Sequence, residues 1–354
     1  MTTPQGPSSG TMRRVVVAPG AIDVVQADVP RPGPGEVLIR VTVAGVCGSD
    51  THAAAGLHPF ITLPYAPGHE VVGTVAGTGA GVEPGWAGRR VTVEPYLPCW
   101  RCKQCSRGQE NICENLGFFG CGDDQGAMAD YFTIDVRRVH AVPDELDDRA
   151  AALIEPLSTP VHAIRLAGGV TGRTVAILGA GTIGLLLLRA VVAQQPKGVV
   201  ITAPRAERRE IGLSLGADAA VDATAGDAVD QVRRALGESA DVVFDCVASK
   251  STIEQAIGMA GKGGTVVVVG VPAGDVTLPL HLVQDHQLRI QGSATYLPQD
   301  VADSIELLRS GAVRPDDVIT SVVPLDAVAD AFRQATSGQH IKVLLAVNPA
   351  STGT

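Results

Sequence analysis

The chain is poor in aromatic side chains: six phenylalanines, four tyrosines and two tryptophans make up 3% of its 354 residues, beside 45% hydrophobic and 18% charged residues. Its apolar content is mainly aliphatic, which fits a soluble α/β protein long enough for two domains of ordinary size. Positive charge is also scarce. Lys and Arg number 28 against 37 Asp and Glu, a formal net charge of −9, which argues against broad electrostatic binding to nucleic acid or an anionic membrane. The opening Met1-Thr2-Thr3-Pro4-Gln5-Gly6-Pro7-Ser8-Ser9-Gly10 lacks a basic start followed by an apolar core, so it does not read as a secretory signal. A disordered tail over residues 1–11 and a cytoplasmic address are expected instead. Uninterrupted apolar runs of membrane-spanning length are missing too. The longest candidate, 175–193, contains Gly179, Gly181, Gly184 and Arg189, and a buried strand, glycine turn and buried helix explain those interruptions better than a span. No internal repeat is visible.

Two patterns divide the chain. From Arg13 to Pro143, short β-branched runs such as 37–43, 70–76, 90–93 and 131–134 are separated by turn clusters like Arg31-Pro32-Gly33-Pro34-Gly35, which predicts a barrel-like sheet. After Pro143 helical spacing appears over 147–153 and 160–166. Strands are then expected at 174–178, 199–202, 219–221, 241–245, 265–269 and 288–291, alternating with helices over 183–194, 206–215, 228–236 and 251–260. Gly216, Gly237 and Gly261 are read as helix stops. Six strands with helical crossovers predict a doubly wound parallel sheet with its ligand at the carboxyl ends of the strands. Further helices are expected over 300–310 and 325–336, and a closing strand over 340–347.

There are seven cysteines, and four lie within fifteen residues, an arrangement that points to metal rather than disulfides in a chain without an export signal. In Cys99-Trp100-Arg101-Cys102-Lys103-Gln104-Cys105, two successive two-residue gaps aim three thiolates at one point, and Cys113 returns to close a tetrahedral sulfur site. With no open position such a zinc is structural. Arg101, Lys103 and Arg107 can partly offset the thiolate charge; an iron–sulfur cluster is the main rival occupant. Of the other three, Cys121 and Cys246 read most simply as buried apolar thiols.

Gly179-Ala180-Gly181-Thr182-Ile183-Gly184 follows one predicted strand and opens an apolar helix. This is the context in which a GxGxxG turn receives a dinucleotide pyrophosphate at a helix N-terminus, the alternative being a glycine-rich packing turn. At the end of the next strand, where NAD-binding units place an acid on the ribose hydroxyls, stands Ala203, followed by Pro204-Arg205-Ala206-Glu207-Arg208-Arg209. The missing acid and the added arginines favour NADP(H) over NAD(H), against the alternative of a solvated basic face paired with Glu207 and Glu210.

Cys47-Gly48-Ser49-Asp50-Thr51-His52 and the distant Pro67-Gly68-His69-Glu70 supply a thiolate, an imidazole and a carboxylate, the set a catalytic zinc uses when one position stays open. Alone, one Cys and one His so far apart are more usually a buried thiol and a hydrogen-bonded histidine.

Together these residues resemble the zinc-dependent medium-chain dehydrogenases/reductases, the superfamily of zinc alcohol dehydrogenases. The resemblance runs from about Arg13 to Val347 and carries Cys47-Gly48-Ser49-Asp50, Gly68-His69-Glu70, the four-cysteine lobe, Glu155-Pro156-Leu157-Ser158 and the glycine turn in the expected order. The Glu155-Pro156-Leu157-Ser158 version is similar to the polyol branch of sorbitol, threonine and butanediol dehydrogenases, where liver-type enzymes usually carry cysteine. It implies a GroES-like β-barrel catalytic domain over 12–160 and 296–354, with a structural zinc lobe at 95–115, and a Rossmann domain with a doubly wound six-stranded parallel sheet over 161–295. It also implies two zinc ions per chain. Cys47 and His69 would ligate the catalytic one together with Glu70 and Glu155, of which relatives use one directly while the other contacts zinc-bound water or moves in during exchange.

The nucleotide would rest on Gly179, Gly181, Thr182, Ile183, Gly184, Ala203, Arg205, Arg208 and Val271. Zinc would polarise an alcohol oxygen for hydride transfer to nicotinamide, and Ser49, a cofactor ribose hydroxyl and His52 would relay the proton. Without the resemblance, Ser49 is a turn hydroxyl and His52 an exposed loop histidine. A substrate cleft is expected from 57–65, Phe118-Phe119 and Thr295-Tyr296. As aligned, sorbitol-type relatives often carry an aromatic near Ala53 and an arginine near Thr295; their loss here implies a roomier or differently polar pocket, for a cyclic polyol, a sugar alcohol or a vicinal diol. His58, His281 and His286 could contact hydroxyls but are more simply surface or interface histidines. The expected partner is a small alcohol or ketone, with no nucleic acid and no membrane, in a homodimer or homotetramer. The competing class is a non-catalytic NADP(H)-binding zinc protein with a regulatory or structural role.

Overall fold

The structure, a computed structural model, describes residues 10–122, 125–272 and 274–348. It divides into two compact units, 1–155 with 319–354, and 156–318. The expected division at 160/161 and 295/296 therefore lies at 155/156 and 318/319. Of the expected tail, residues 1–9 lie outside the described residues. Thr11 is a correction: it already opens a strand, pairing with Asp28.

The first unit begins with a hairpin, β1 (Thr11–Ala18) and β2 (Ala21–Asp28), whose antiparallel register closes on a turn at Pro19-Gly20. The main sheet has seven strands. Its centre is β3 (Glu36–Val46), which pairs antiparallel with β4 (Glu70–Thr78) and β8 (Tyr131–Asp135), while β5 (Arg90–Val93) and β9 (Val139–Ala141) extend the sheet beyond β4. On the other side of β3 lies β17 (Lys342–Ala346), and outside it β16 (Ile319–Pro324). A two-residue pair, β6 (Tyr96–Leu97) with β7 (Gly117–Phe118), stands at the base of the cysteine lobe. Short helices α1 (Gly48–Ala54) and α2 (Asp148–Ala151), together with α10 (Val328–Ser337), complete the unit. Its core is aliphatic: Val37, Ile39, Val41, Val71 and Val75 pack with Leu345, and Phe119 and Phe132 supply the aromatic volume. β-Branched side chains fill a pleated surface with little loss of rotamer freedom, so a barrel can form with few aromatics.

The second unit continues α3 (Ile154–Ala167) into a six-stranded sheet in the order β12-β11-β10-β13-β14-β15. These are β10 (Thr174–Leu178), β11 (Gly198–Ala203), β12 (Ala219–Asp222), β13 (Ala240–Asp245), β14 (Ala260–Val268) and β15 (Arg289–Gly292), and every adjacent pair is parallel. Helices α4 (Thr182–Ala193), α5 (Ala206–Ser214), α6 (Ala228–Leu236), α7 (Lys250–Met259) and α8 (Leu280–Asp285) make the connections, and α9 (Pro298–Arg309) closes the unit. The reversal of strand order between β10 and β13 is the switch point at which such sheets take ligands. All of β10 is buried, consistent with its unbroken apolar run. Gly237 ends α6 in the left-handed region, as expected, but Gly261 lies inside β14 and stops nothing: α7 passes directly into that strand at Ala260.

Candidate active site

Antiparallel register makes neighbours of the two distant motifs. Gly45, near the end of β3, is the partner of Glu70 at the start of β4, so the chain leaving β3 at Cys47 and the chain entering β4 at His69 emerge together. Cys47 has extended backbone angles and caps α1, and its N–H donates to the Asp50 carboxylate at 3.0 Å. The Cys47-to-Asp50 spacing thus turns the chain so that the thiol is held at the helix entrance. Donor atoms of Cys47, His69 and Glu70 all lie within 4.8 Å of one another, with His69 and Glu70 buried. Glu155, buried on the first turn of α3, does not join that group.

The surroundings of these three side chains are strongly polar for an interior. Asp50 is fully buried, 4.0 Å from His69 Nδ1, and accepts from the Tyr65 hydroxyl at 3.4 Å. Burial raises the Asp50 carboxyl above its usual range, with His69 acting against that rise. Cys121 Sγ lies 3.5 Å from His69 Nδ1. The expectation of a plain buried thiol is therefore corrected: Cys121 touches a candidate ligand. Burial works against a charged His69 imidazole, yet Cys121, Cys47 and Asp50 around it raise its pKa well above the ordinary value. The Phe118 ring stands edge-on to His69 at 5.7 Å. Phe119, by contrast, is buried in the core against Phe132, 4.7 Å between ring centres, so only Phe118 of that expected pair is at the site.

A charge that the sequence reading did not assign completes the group. Lys342, the first residue of β17, is 2% exposed, forms a direct ion pair with Glu70 Oε2 and donates to the Val46 carbonyl at 3.0 Å. Burial alone would depress its ammonium, but the negative charges of Glu70 and Cys47 raise it above the usual lysine value. Gly45 gives the carboxylate its place: a Cβ there would overlap Glu70 Oε2.

Ser49 Oγ is buried without a hydrogen-bond partner among the described residues, and His52, one turn further along α1, is exposed. A buried orphan hydroxyl normally has a partner, so its presence beside Cys47 fits a site that receives an oxygen-bearing ligand. A soft thiolate, an imidazole and carboxylates fit zinc with an open position. Ala53 is fully buried in the core, while Leu57 and Phe60 of the expected cleft are 64% and 82% exposed. Tyr65 serves as the partner of Asp50 and is itself buried.

The second cluster gathers Cys99, Cys102, Cys105 and Cys113, with donor atoms again within 4.8 Å. Cys102 Sγ lies 3.5 Å from that of Cys105 and 3.7 Å from that of Cys113, close to the edge of about 3.8 Å that a tetrahedron of zinc–sulfur bonds defines. Backbone N–H groups of Cys99 and Asn115 donate to Cys113 Sγ at 3.2 and 3.3 Å. A backbone donor from Arg101 leads the pull of the Cys99 thiol down to about 6, whereas burial and neighbouring sulfurs push Cys105 up to about 12. A dication is the usual relief for such crowding of thiolates. Trp100 adopts φ +61° inside the loop, and its ring lies 4.3 and 4.6 Å from the guanidinium groups of Arg137 and Arg138. Arg138 is held in turn by the fully buried Glu94 at 2.6 Å.

In the second unit the glycine turn sits between β10 and α4. Gly179 has φ +99°, Gly181 caps α4, and a Cβ on Gly184 would overlap the Gly179 carbonyl oxygen, so helix and strand meet only because that side chain is absent. Thr182 and Ile183 form the helix's first turn. Ala203 ends β11 buried, with Arg205 exposed at the N-cap of α5 and Arg208 half-buried, its pKa lowered by burial and by Arg205. Arg209 is committed elsewhere: it donates to the Ala203 and Pro204 carbonyls and pairs with Asp222 at 3.2 Å. Val271 is 57% exposed beyond β14, and Val247, which sequence reasoning passed over, is 45% exposed against Gly179. Tyr296 is buried and Thr295 takes φ +48°. His281 is exposed and His286 stands 3.7 Å from Asp285. Cys246 is half-buried, and burial raises its thiol.

Residues 33–144 match the alcohol dehydrogenase GroES-like domain and residues 182–310 the zinc-binding dehydrogenase domain. The chain belongs to the zinc-dependent medium-chain dehydrogenases. It is similar to a probable D-xylulose reductase A from Aspergillus clavatus, with 32% identity covering 98% of both chains. Similarity to the L-galactonate-5-dehydrogenase of Escherichia coli is 31% identity over 87% of this chain and 90% of the relative. Among solved structures, a putative zinc-binding dehydrogenase from Sinorhizobium meliloti bound to NADP has a TM-score of 0.87 and 32% identity, covering 95% of this chain and 99% of that one. A protein from Escherichia coli described as a short chain alcohol dehydrogenase, complexed with NADH, has a TM-score of 0.89 and 26% identity over 95% and 99%. The GroES-like and Rossmann expectations hold, and the protein is an NAD(P)-dependent oxidoreductase acting on CH–OH groups. Among the described residues no helix is long and apolar enough to cross a membrane.

Proposed function

We propose that this dehydrogenase oxidises polyols or related secondary alcohols, and reduces the matching ketones, with zinc at Cys47, His69 and Glu155 or Glu70, a second, structural zinc in the four-cysteine lobe, and NADP(H) as the preferred cofactor. The observation that carries the reading is the convergence of Cys47, His69 and Glu70 beside the unpartnered buried hydroxyl of Ser49. Bound there, zinc supplies a Lewis acid for an alcohol oxygen, and the nicotinamide supplies the hydride acceptor. Ser49 Oγ would take the alcohol proton while giving up its own, by way of a cofactor ribose hydroxyl, to His52 on the exposed face of α1, which releases it to solvent. The charged groups around the three donors, Asp50 and Lys342, favour a hydroxyl-rich substrate over a flat apolar one.

Ala203, with Arg205 and Arg208 next to it, supports the phosphate-bearing cofactor: no acid ends β11, and the nearest carboxylate in register, Asp222, is engaged by Arg209 and Thr224. A homodimer or homotetramer in the cytoplasm belongs to the same proposal. The test is kcat/KM for sugar alcohols, inositols, vicinal diols and their ketones with both cofactors, alongside metal content. Two zinc ions per chain, oxidation of a polyol with NADP and reduction of its ketone with NADPH are expected. A strong preference for NAD would refute the cofactor assignment, and zinc binding without turnover across the panel would refute the catalytic one.

A further inference from the structure

The Glu70 carboxylate faces two positive charges at once. It belongs to the donor group of Cys47 and His69, yet its Oε2 rests against Gly45 and is paired with the buried ammonium of Lys342. Lys342 cannot swing away easily, because it is itself buried and donates to the carbonyl of Val46, the residue preceding Cys47. Charge counting shows what the ammonium changes. A thiolate at Cys47 and carboxylates at Glu70 and Glu155 bring three negative charges to a dication, and Lys342 cancels the one left over. Glu155 is also within electrostatic reach of Lys342.

We propose that Lys342 is the positioning residue that sets the coordination of the active-site metal: by competing for Oε2 it keeps Glu70 outside the resident ligand set. The inference rests on the metal reading of the Cys47 site given above. In a site shielded from water, one carboxylate between an ammonium and a dication is shared according to distance and geometry. The Gly45 recess and the Val46 carbonyl fix the ammonium's side of that competition. Three consequences follow for the metal. It keeps an exchangeable oxygen position, it remains more electrophilic than with Glu70 bound, and it leaves faster. Residues outside the ligand set typically change metal affinity or activity about 10–100-fold when altered.

Cobalt in place of zinc reports the coordination directly through its visible absorption bands, independently of turnover. In the full-length protein, Lys342→Met should shift the bands that depend on Cys47 and slow release of that metal to a chelator about 10-fold. Lys342→Arg should leave the bands as they are, and the double variant Lys342→Met with Glu70→Gln should restore them. Glu70→Gln alone should leave the bands unchanged, which keeps the idea testable if Lys342→Met fails to fold. A folded Lys342→Met protein with unaltered bands, or a band shift in Glu70→Gln alone, would overturn the role of Lys342. Absence of any cobalt bands dependent on Cys47 would instead overturn the metal reading itself, and the inference with it.

Discussion

Two donor clusters in the same unit are assembled in opposite ways. The four-cysteine lobe is local: its thiols come from one loop, approach to 3.5–3.7 Å, and receive backbone N–H donors from the same loop. The Cys47 cluster is assembled from the end of β3 and the start of β4, and around it stand charged groups, Asp50 from α1 and Lys342 from the head of β17, that are not among its three grouped donors. A closed set of like ligands needs only a loop of the right length. An open set needs a rigid sheet to hold unlike ligands apart and further residues to balance their charge.

The comparison yields graded expectations. Cys47→Ala should have the largest effect on activity, lowering kcat/KM by about a thousandfold or more through loss of the Lewis acid, while the melting temperature stays near that of the parent. Metal analysis should then show one zinc lost, and retention of both would contradict the assignment. Cys102→Ala should invert the pattern, with the main damage to stability. The loss of about 3 kcal/mol expected for a structural zinc ligand, spread over a unit of this size, lowers the melting temperature by about 6–12 °C. Calorimetry on the two variants would show whether the clusters really differ in this way.

His52→Gln leaves both clusters intact and should slow kcat about 10-fold or more near neutral pH. The deficit should narrow at alkaline pH, where hydroxide can collect the proton. A pH–rate profile identical to that of the parent would remove His52 from the proton path. Cys121→Ser should be the mildest, weakening metal retention at the Cys47 site by a few-fold, because Asp50 remains within reach of His69. Chelator titration would measure it, and an effect on the four-cysteine metal would contradict the placement of Cys121.

How much of this was legible in the sequence follows the same division. The four-cysteine spacing, the glycine turn and the strand–helix alternation are carried by residues close in sequence, and the structure places them within a residue or two of the expected bounds, with β14 longer at its start. Contacts that depend on strand register were not legible. Lys342 opens an otherwise apolar strand and reads as a surface charge at a strand end; only the pairing of β17 with β3 brings it to Glu70. Cys121 has no neighbouring ligand in sequence, and its meeting with His69 depends on the chain that crosses between β7 and β8. Asp50 was visible as part of the Cys47 motif, yet its role required knowing that α1 turns it inward beneath His69. Gly261 was misread because a glycine after a helical pattern is usually a stop, whereas here the chain passes straight from α7 into strand.

The position of β17 has a consequence for the order of events during synthesis. It lies between β16 and β3, inside the first sheet, although it leaves the ribosome only after the whole second unit. The second unit is a continuous stretch, 156–318, and can fold while its flanks are incomplete. The first unit cannot close until residue 346 is available. A nascent chain therefore presents Cys47, His69 and Glu70 without the ammonium of Lys342, and the site takes its final charge balance only after the whole second unit has been synthesised.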